Sequence, residues 1–209
     1  IGRNEIPIIG INLGRMGFLT DILTDEVELF AQNISCGSYY IEERPFIEVI
    51  THSTVLGREN LALNEVCVCK KESSHLMTIH TWIDEEYLGS FWADGLVVAS
   101  PTGSTAYSLS LGGPIVSPNS RNFIINSIAP HSLTVRPLII PDTSIIKLKV
   151  DGRDNIFNIS LDSKNHPFLH DQTITVKRSE TQLKIIKIEG KSYFTSLKNK
   201  LMWGMDIRN

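Results

Sequence analysis

The residues best suited to chemistry in this 209-residue sequence fall in two stretches, Asn64-Glu65 and Asp94 to Pro114. The longer one reads Asp94-Gly-Leu-Val-Val-Ala-Ser-Pro-Thr-Gly-Ser-Thr-Ala-Tyr-Ser-Leu-Ser-Leu-Gly-Gly-Pro114. It carries six Ser/Thr hydroxyls, at Ser100, Thr102, Ser104, Thr105, Ser108 and Ser110, more than the capping of one turn requires. A short helix is expected to start near Ser104, and the free N–H groups of such a helix start suit an anion or polar ligand. Gly103, Gly112 and Gly113 allow close backbone approach. This is chemistry for a nucleotide or a sugar. It is not a P-loop, because the lysine and its spacing are absent. Asn64 offers both donors and acceptors to a base edge or ribose. Glu65 could accept from two ribose hydroxyls, and a buried carboxylate there would need a partner. Equally, each stretch could be a capped turn or a solvated strand end, and Asp94-Gly95 could be a plain turn. A Ser-His-Asp set can be written from Ser104, His131 and Asp162, but the G-x-S-x-G elbow is missing. Cys67 and Cys69 stand two apart in a strand-like run, so both side chains share one face. With Cys36 they make an odd count, which favours reduced thiols in a cytoplasmic protein over a disulfide framework or a metal site.

The elements that must position these residues begin with Ile6–Ile11, an apolar run suited to a buried parallel strand. A glycine-punctuated loop, Asn12 to Gly17, follows at the end where open α/β sheets bind ligands. Thr24 could cap a helix over Asp25 to Asn33, ended by Cys36-Gly37-Ser38. Beyond residue 40 short β-rich runs dominate. They are Phe46–Thr51, Leu61–Cys69, Leu76–Ile83, Tyr87–Trp92, Leu96–Ser100 and Phe123–Ala129, then Ile145–Val150, Ile156–Leu161, Thr173–Arg178 and Leu183–Ile188. That spacing predicts a sandwich-like β domain. Ser192 to Trp203 reads as a final helix with Tyr193, Leu197, Leu201 and Phe194 on one side. The expected class is α/β plus β. Residues 1–38 form the remnant of a Rossmann-like domain, with a C-terminal helix in 190–209 packing back on it, and 39–189 form a β-rich domain.

Taken together the motifs resemble the NAD kinase family, bacterial type. They are Gly10-Ile-Asn-Leu-Gly-Arg-Met-Gly-Phe-Leu-Thr-Asp21, Asn64-Glu65, Asp94-Gly95, Pro101-Thr-Gly-Ser-Thr-Ala-Tyr107, Gly112-Gly-Pro114, Pro130-His131 and Arg136-Pro137, in the family's order. The resemblance implies transfer of a phosphoryl group from ATP or polyphosphate to the 2′-hydroxyl of the adenosine ribose of NAD, with Mg²⁺ or another divalent cation. It implies that Asn64 and Glu65 bind the adenosine part, that Thr105, Ala106, Tyr107, Ser108 and Ser110 line the same site, and that Asp94 binds the dinucleotide, often from a neighbouring subunit. His75 and Ala129 match weaker lining positions, Phe18 edges the pocket, and Asp162 and Lys164 lie toward the nicotinamide. Homodimers or homotetramers with shared sites are implied as well. Two positions depart from the bacterial pattern: Trp92 where some members are basic, and Lys164 where some have glutamine. The family's Gly-Gly-Asp-Gly motif, whose aspartate is the expected general base, does not occur in the sequence. It is expected upstream of Ile1, which would leave the 209 residues inactive alone. A net charge of −3 gives no field favouring nucleic acid or an anionic membrane. A lipid kinase of the diacylglycerol-kinase type would need an apolar or basic membrane face. A non-catalytic NAD-binding module is the remaining alternative.

Overall fold

A computed structural model of the chain describes residues 6–13, 18–20, 22–52, 56–57, 59–71, 75–153, 156–169, 172–188 and 192–204. Gly14 to Gly17 and Asp21, part of the predicted glycine loop, lie outside the described residues. The chain divides into two compact units, residues 1–44 with 181–209, and residues 45–180.

In the first unit, β1 (Ile11–Asn12) pairs in parallel with β2 (Ile22–Leu23), and Ile8 forms a parallel bridge with Ile185. The predicted N-terminal strand is thus only a bridge and a two-residue strand. A 3-10 turn, Thr24–Glu26, leads into α1 (Val27–Ser35). Thr24 does not cap it; the Glu26 carboxylate reaches back to accept from the Leu23 N–H at 2.9 Å. Cys36 ends the helix and Gly37 follows at φ +72°, where a side chain would be strained.

Two six-stranded antiparallel sheets lie mainly within residues 45–180, their first and last strands in chain order continuing into the first unit. In chain order the strands are β3 (Tyr40–Thr51), β4 (Leu61–Ala62), β5 (Glu65–Lys70), β6 (Met77–Ile83), β7 (Glu86–Ala93), β8 (Gly95–Ala99), β9 (Asn122–Ile128), β10 (Leu138–Pro141), β11 (Ile146–Asp151), β12 (Ile156–Leu161), β13 (Lys164–Leu169) and β14 (Thr173–Lys187). The first sheet runs β10-β9-β8-β5-β12-β13 and the second β4-β3-β14-β11-β6-β7. Between them lies a core that includes Ile47, Val49, Val66, Val68, Ile79, Leu96, Val98, Ile146, Leu148 and Ile159. The expected β-sandwich is therefore present.

Three departures from the predicted strands have physical causes. Leu61–Cys69 is two strands, because the chain leaves the second sheet after Ala62 and enters the first at Glu65. Thr173 to Lys187 is one strand, not two. Its buried set moves from Ile174 and Val176 to Ser179, Leu183 and Ile185, so the hydrophobic alternation slips while the ladder continues. The unforeseen strands β10 and β13 are the two edges of the first sheet, where Pro141 and Pro167 are tolerated.

α2 (Tyr107–Ser110) is a single turn, preceded by a 3-10 turn at Thr102–Thr105. α3 (Tyr193–Leu201) belongs to the first unit, where Lys200 Nζ donates to the Thr20 carbonyl at 3.1 Å. Leu197 is its buried residue, whereas Phe194, expected on the same side, is exposed. The Ser192 Oγ accepts from the Thr195 N–H at 3.1 Å, a side-chain N-cap. Ser192→Ala is expected to cost about 1 kcal/mol of stability, and Ser192→Asp to cost almost nothing, in urea unfolding.

Candidate functional site

Alternation along β5 decides where the site lies. Val66 and Val68 enter the sandwich core, so Glu65, Cys67 and Cys69 face the other side of the first sheet. There Cys67 packs with Val97, Ala99, Ile124 and Val116. Val116 ends the hydroxyl-rich segment, which therefore lies over this outer face.

Asn64 sits at the crossover between sheets, and Asp162 holds it. The Asp162 carboxylate accepts from the backbone N–H groups of Leu63 at 2.9 Å, Asn64 at 2.7 Å and Glu65 at 3.2 Å. Its own N–H donates to the Glu65 carbonyl at 3.0 Å. Asp162 adopts φ +53° in the turn between β12 and β13, a conformation aspartate tolerates. The Asn64 carbonyl in turn accepts from the Ser100 N–H at 2.8 Å, and Ser100 Oγ donates to the Leu63 carbonyl at 2.6 Å.

Several amides at the start of the Thr102–Ser110 turns have partners within the protein. The Gly103 N–H donates to Ser100 Oγ at 3.2 Å, and the Ser104 and Ala106 N–H groups donate to the Pro101 and Gly103 carbonyls. The Tyr107 N–H favours the ionised form of the Glu65 carboxylate. Ser104 is fully buried and exchanges bonds with Val116, accepting from its N–H at 3.1 Å and donating to its carbonyl at 3.2 Å. Gly103 and Gly113 permit close approach within the protein. A Cβ on Gly103 would lie 2.1 Å from the Asn64 carbonyl oxygen, and one on Gly113 would lie 2.4 Å from Ser108 Oγ. Gly112 is needed for its φ of +76°.

Glu65 is the outstanding group. It is 7% exposed, and its Oε2 has no hydrogen-bond partner. Burial, and then the neighbouring Asp162 carboxylate, push its pKa up to about 7, against the opposing Tyr107 N–H bond. Tyr107 is 41% exposed. Its hydroxyl is pushed up by partial burial and by the nearby Cys67, Cys69, Glu65 and Asp94. These five side chains therefore form one neighbourhood. Asp94 is ion-paired with Lys70 at 2.6 Å.

The other predicted residues are placed as follows. Thr105 and Ala106 are half-buried in the turns, Ser108 is buried and Ser110 exposed. Ala129 is exposed at φ +44°, and His75 is exposed. Lys164 pairs with Glu59 at 2.8 Å, and Trp92 stacks on His131 with ring centroids 4.7 Å apart. Phe18 belongs to the first unit, with Lys200 Nζ 5.5 Å from its ring centroid. Ser104, His131 and Asp162 have separate partners and make no triad. A Ser-His-Asp line does occur elsewhere, with Ser90 Oγ 2.7 Å from His80 Nδ1 and His80 Nε2 3.0 Å from Asp151 Oδ2. It joins cross-strand neighbours on the exposed face of β6, β7 and β11. Sequence reasoning missed Asn126, whose Nδ2 donates to Ser108 Oγ at 2.7 Å and anchors α2 from β9. Its signal was an amide inside the apolar run Phe123-Ile-Ile-Asn126.

Fold and site together define a β-sandwich protein with a buried, half-unpartnered carboxylate, Glu65, on the outer face of one sheet and the exposed Tyr107 near it. The family model of the ATP-NAD kinase C-terminal domain matches residues 63–188. The chain is 44% identical over 209 residues to the NAD kinase of Cytophaga hutchinsonii, covering all of this chain and 72% of that protein. It is 39% identical over 211 residues to the NAD kinase of Flavobacterium johnsoniae, again with 72% of that protein covered. Among solved structures it resembles yeast NADH kinase complexed with NADH, at a TM-score of 0.87 and 26% identity over 97% of this chain and 61% of that one. It also resembles an NAD kinase from Archaeoglobus fulgidus in complex with ATP, at a TM-score of 0.79 and 27% identity over 94% of this chain and 74% of that one. The chain belongs to the NAD kinase family.

Proposed function

We propose that the protein transfers a phosphoryl group from ATP to the 2′-hydroxyl of the adenosine ribose of NAD, giving NADP, and that the outer face of the first sheet binds the dinucleotide. The observation that carries this reading is the buried Glu65 carboxylate, with one oxygen unpartnered and the exposed Tyr107 beside it. A buried acceptor without a donor is costly, and ribose hydroxyls supply donors in the geometry a carboxylate can accept. Asn64 would add an amide to the same recognition, Tyr107 a stacking face, and Thr105, Ala106, Ser108 and Ser110 the adjoining wall. The names of the relatives, and the NADH and ATP in the two solved complexes, support the choice of nucleotide and donor.

The transfer depends on positioning: the ribose is held so that its 2′-oxygen meets the terminal phosphoryl group in line. Asp162 acts through the backbone, holding Asn64 and Glu65 in place. The resemblance implies a divalent cation to neutralise the phosphates. Among the described residues no three His, Cys, Asp or Glu side chains gather to hold one, so no ligand to it is assigned here. Nor is a general base assigned, since the Gly-Gly-Asp-Gly sequence is absent from these 209 residues. The chain alone is proposed to bind NAD without turning it over. A cytoplasmic homo-oligomer with shared sites is the setting we propose, in keeping with three unpaired thiols.

The test is NAD titration calorimetry across about pH 5.5 to about pH 8.5, with NADP formation measured in the longer protein that carries this chain. Only ionised Glu65 accepts two hydroxyl bonds, so affinity is expected to rise with pH through about 7. Glu65→Gln is expected to bind roughly tenfold more weakly and to lose the pH dependence. Stability carries the opposite sign. The folded pKa lies above the ordinary 4.5, so the free protein binds more protons than the unfolded chain between 4.5 and about 7, and stability falls as pH rises across that window. Equal affinity of both proteins at every pH would remove Glu65 from the site. NAD binding without NADP formation by the longer protein would support the non-catalytic module.

A further inference from the structure

The second sheet carries a hydrogen-bonded line of side chains that the proposed reaction does not use. Ile79, Thr81 and Val150 are buried, so alternation sends His80, Trp82 and Asp151 to the opposite face of that sheet. Ser90 is the register partner of His80 across β6 and β7. Tyr87, three residues from Ser90, would face the other way in a regular strand. A bulge turns it back: the register moves from Thr81 opposite Gly89 to Trp82 opposite Tyr87, passing over Leu88, with Gly89 at φ +151°. The Tyr87 hydroxyl then lies 2.5 Å from Ser90 Oγ, Ser90 Oγ lies 2.7 Å from His80 Nδ1, and His80 Nε2 lies 3.0 Å from Asp151 Oδ2. The Asp151 carboxylate can only accept, so Nε2 carries the hydrogen of a neutral imidazole and Nδ1 accepts from Ser90. With its own proton committed to His80, Ser90 Oγ accepts from Tyr87. Trp82 and Tyr87 form an apolar ledge beside the line, their ring centroids 5.2 Å apart, and Tyr87 and Ser90 are exposed.

We propose that Ser90 is the nucleophile of a second, acyl-transferring site on this face, and that the site takes small esters bearing an aromatic group. Ser90 Oγ attacks the ester carbonyl carbon as its proton passes to His80 Nδ1, and the carbonyl electron pair moves onto oxygen. The Tyr87 hydroxyl, already beside the attacking atom, is the donor offered to that oxygen. When the carbonyl re-forms, the bond to the alcohol oxygen breaks and His80 Nδ1 returns the proton to it. Water then repeats the sequence at the acyl group, freeing a carboxylic acid and restoring Ser90. Asp151 is a positioning residue, holding the imidazole so that Nδ1 meets Ser90. The aromatic group of the ester packs on Trp82 and Tyr87. This face belongs to the second sheet and Glu65 to the outer face of the first, so the proposal does not rest on the dinucleotide reading.

The test uses para-nitrophenyl acetate for turnover and phenylmethanesulfonyl fluoride for labelling, with the labelled peptide mapped by mass. The unsubstituted chain is expected to release nitrophenol in steady turnover and to take a sulfonyl group on Ser90 as fluoride leaves. Ser90→Ala, a change at an exposed position, should keep the urea-unfolding midpoint, lose the label and lower ester cleavage at least about tenfold. His80→Gln should slow labelling and cleavage to a similar extent. Tyr87→Phe keeps the ledge and should slow cleavage about tenfold. Asp151→Asn should slow both reactions only about fivefold, because the ion pair is exposed. Its urea midpoint should not move, and Asp151→Glu should restore the rate. Ester cleavage unchanged in Ser90→Ala, labelling that passes over Ser90, or labelling of Ser90 that His80→Gln does not slow would overturn the proposal and leave the line as a structural network.

Discussion

Asp162→Ala is expected to lower stability by about 2–4 kcal/mol and to weaken NAD binding at least about tenfold. The three N–H groups of Leu63, Asn64 and Glu65 all end on this one carboxylate. They lie at the crossover where the chain passes from β4 in the second sheet to β5 in the first, and no strand ladder can supply a substitute acceptor. Water satisfies part of the loss because the turn is only half-buried, which keeps the cost below the sum of three charge-assisted bonds. Alanine also fits poorly at φ +53°. Asp162→Asn retains one acceptor oxygen and tolerates that backbone, so its loss should be about half as large. The substitution has a second signature. Asp162 is one of the two causes that raise the Glu65 pKa, so the pH midpoint of NAD binding should move down in both variants. Urea unfolding and calorimetry across pH measure these effects. Unchanged stability in Asp162→Ala would show that the crossover does not depend on the carboxylate.

Gly103→Ala is expected to cost about 2–3 kcal/mol and to reduce NAD affinity by more than about tenfold. Its Cβ would fall 2.1 Å from the Asn64 carbonyl oxygen, 2.5 Å from the carbonyl carbon and 2.8 Å from Cα. All three are backbone atoms, so no rotamer change relieves the clash. Either the Ser100–Ser104 turn lifts off or the Asn64 peptide rotates. The first breaks the Gly103 N–H bond to Ser100, and the second breaks the Ser100 N–H bond to Asn64. Either movement separates Asn64 from Tyr107. Gly112→Ala is the control, since nothing lies within 4 Å of its Cβ and only the positive φ penalises it. That penalty is about 1–2 kcal/mol, and it should leave the Asn64 turn intact. Thermal unfolding and NAD titration of the two variants separate the mechanisms. Equal behaviour of both variants would show that the close approach is not what requires Gly103.

Much of this was readable from residue order. Period-2 alternation such as Ile146-Lys-Leu-Lys-Val150 set strand and face together, because a sheet buried on one side admits one parity. The motif Pro101-Thr-Gly-Ser-Thr-Ala-Tyr107 and the Asn64-Glu65 pair were visible as polar residues with no local reason to be there. The edge strands were not visible. Their outer backbone groups need no ladder partner, so Lys-Asn-His-Pro can serve as a strand at β13. Nor was the packing of the Ser104 turn readable locally, because Gly103 lies against the Asn64 backbone, far away in sequence.

Residue order by itself determined the sandwich, the family and the residues that face outward on β5, since each depends on local periodicity or on motif identity. Tertiary structure alone decided how those residues act. Asp162 became a backbone anchor because the β12–β13 turn lies beside the crossover of the other sheet. Glu65 became a buried acceptor, with its pKa raised to about 7, because burial and the Asp162 carboxylate, about 100 residues away, outweigh the opposing Tyr107 N–H, about 40 residues away. Burial and electrostatics depend on what surrounds a side chain in space, and no local pattern encodes that surrounding.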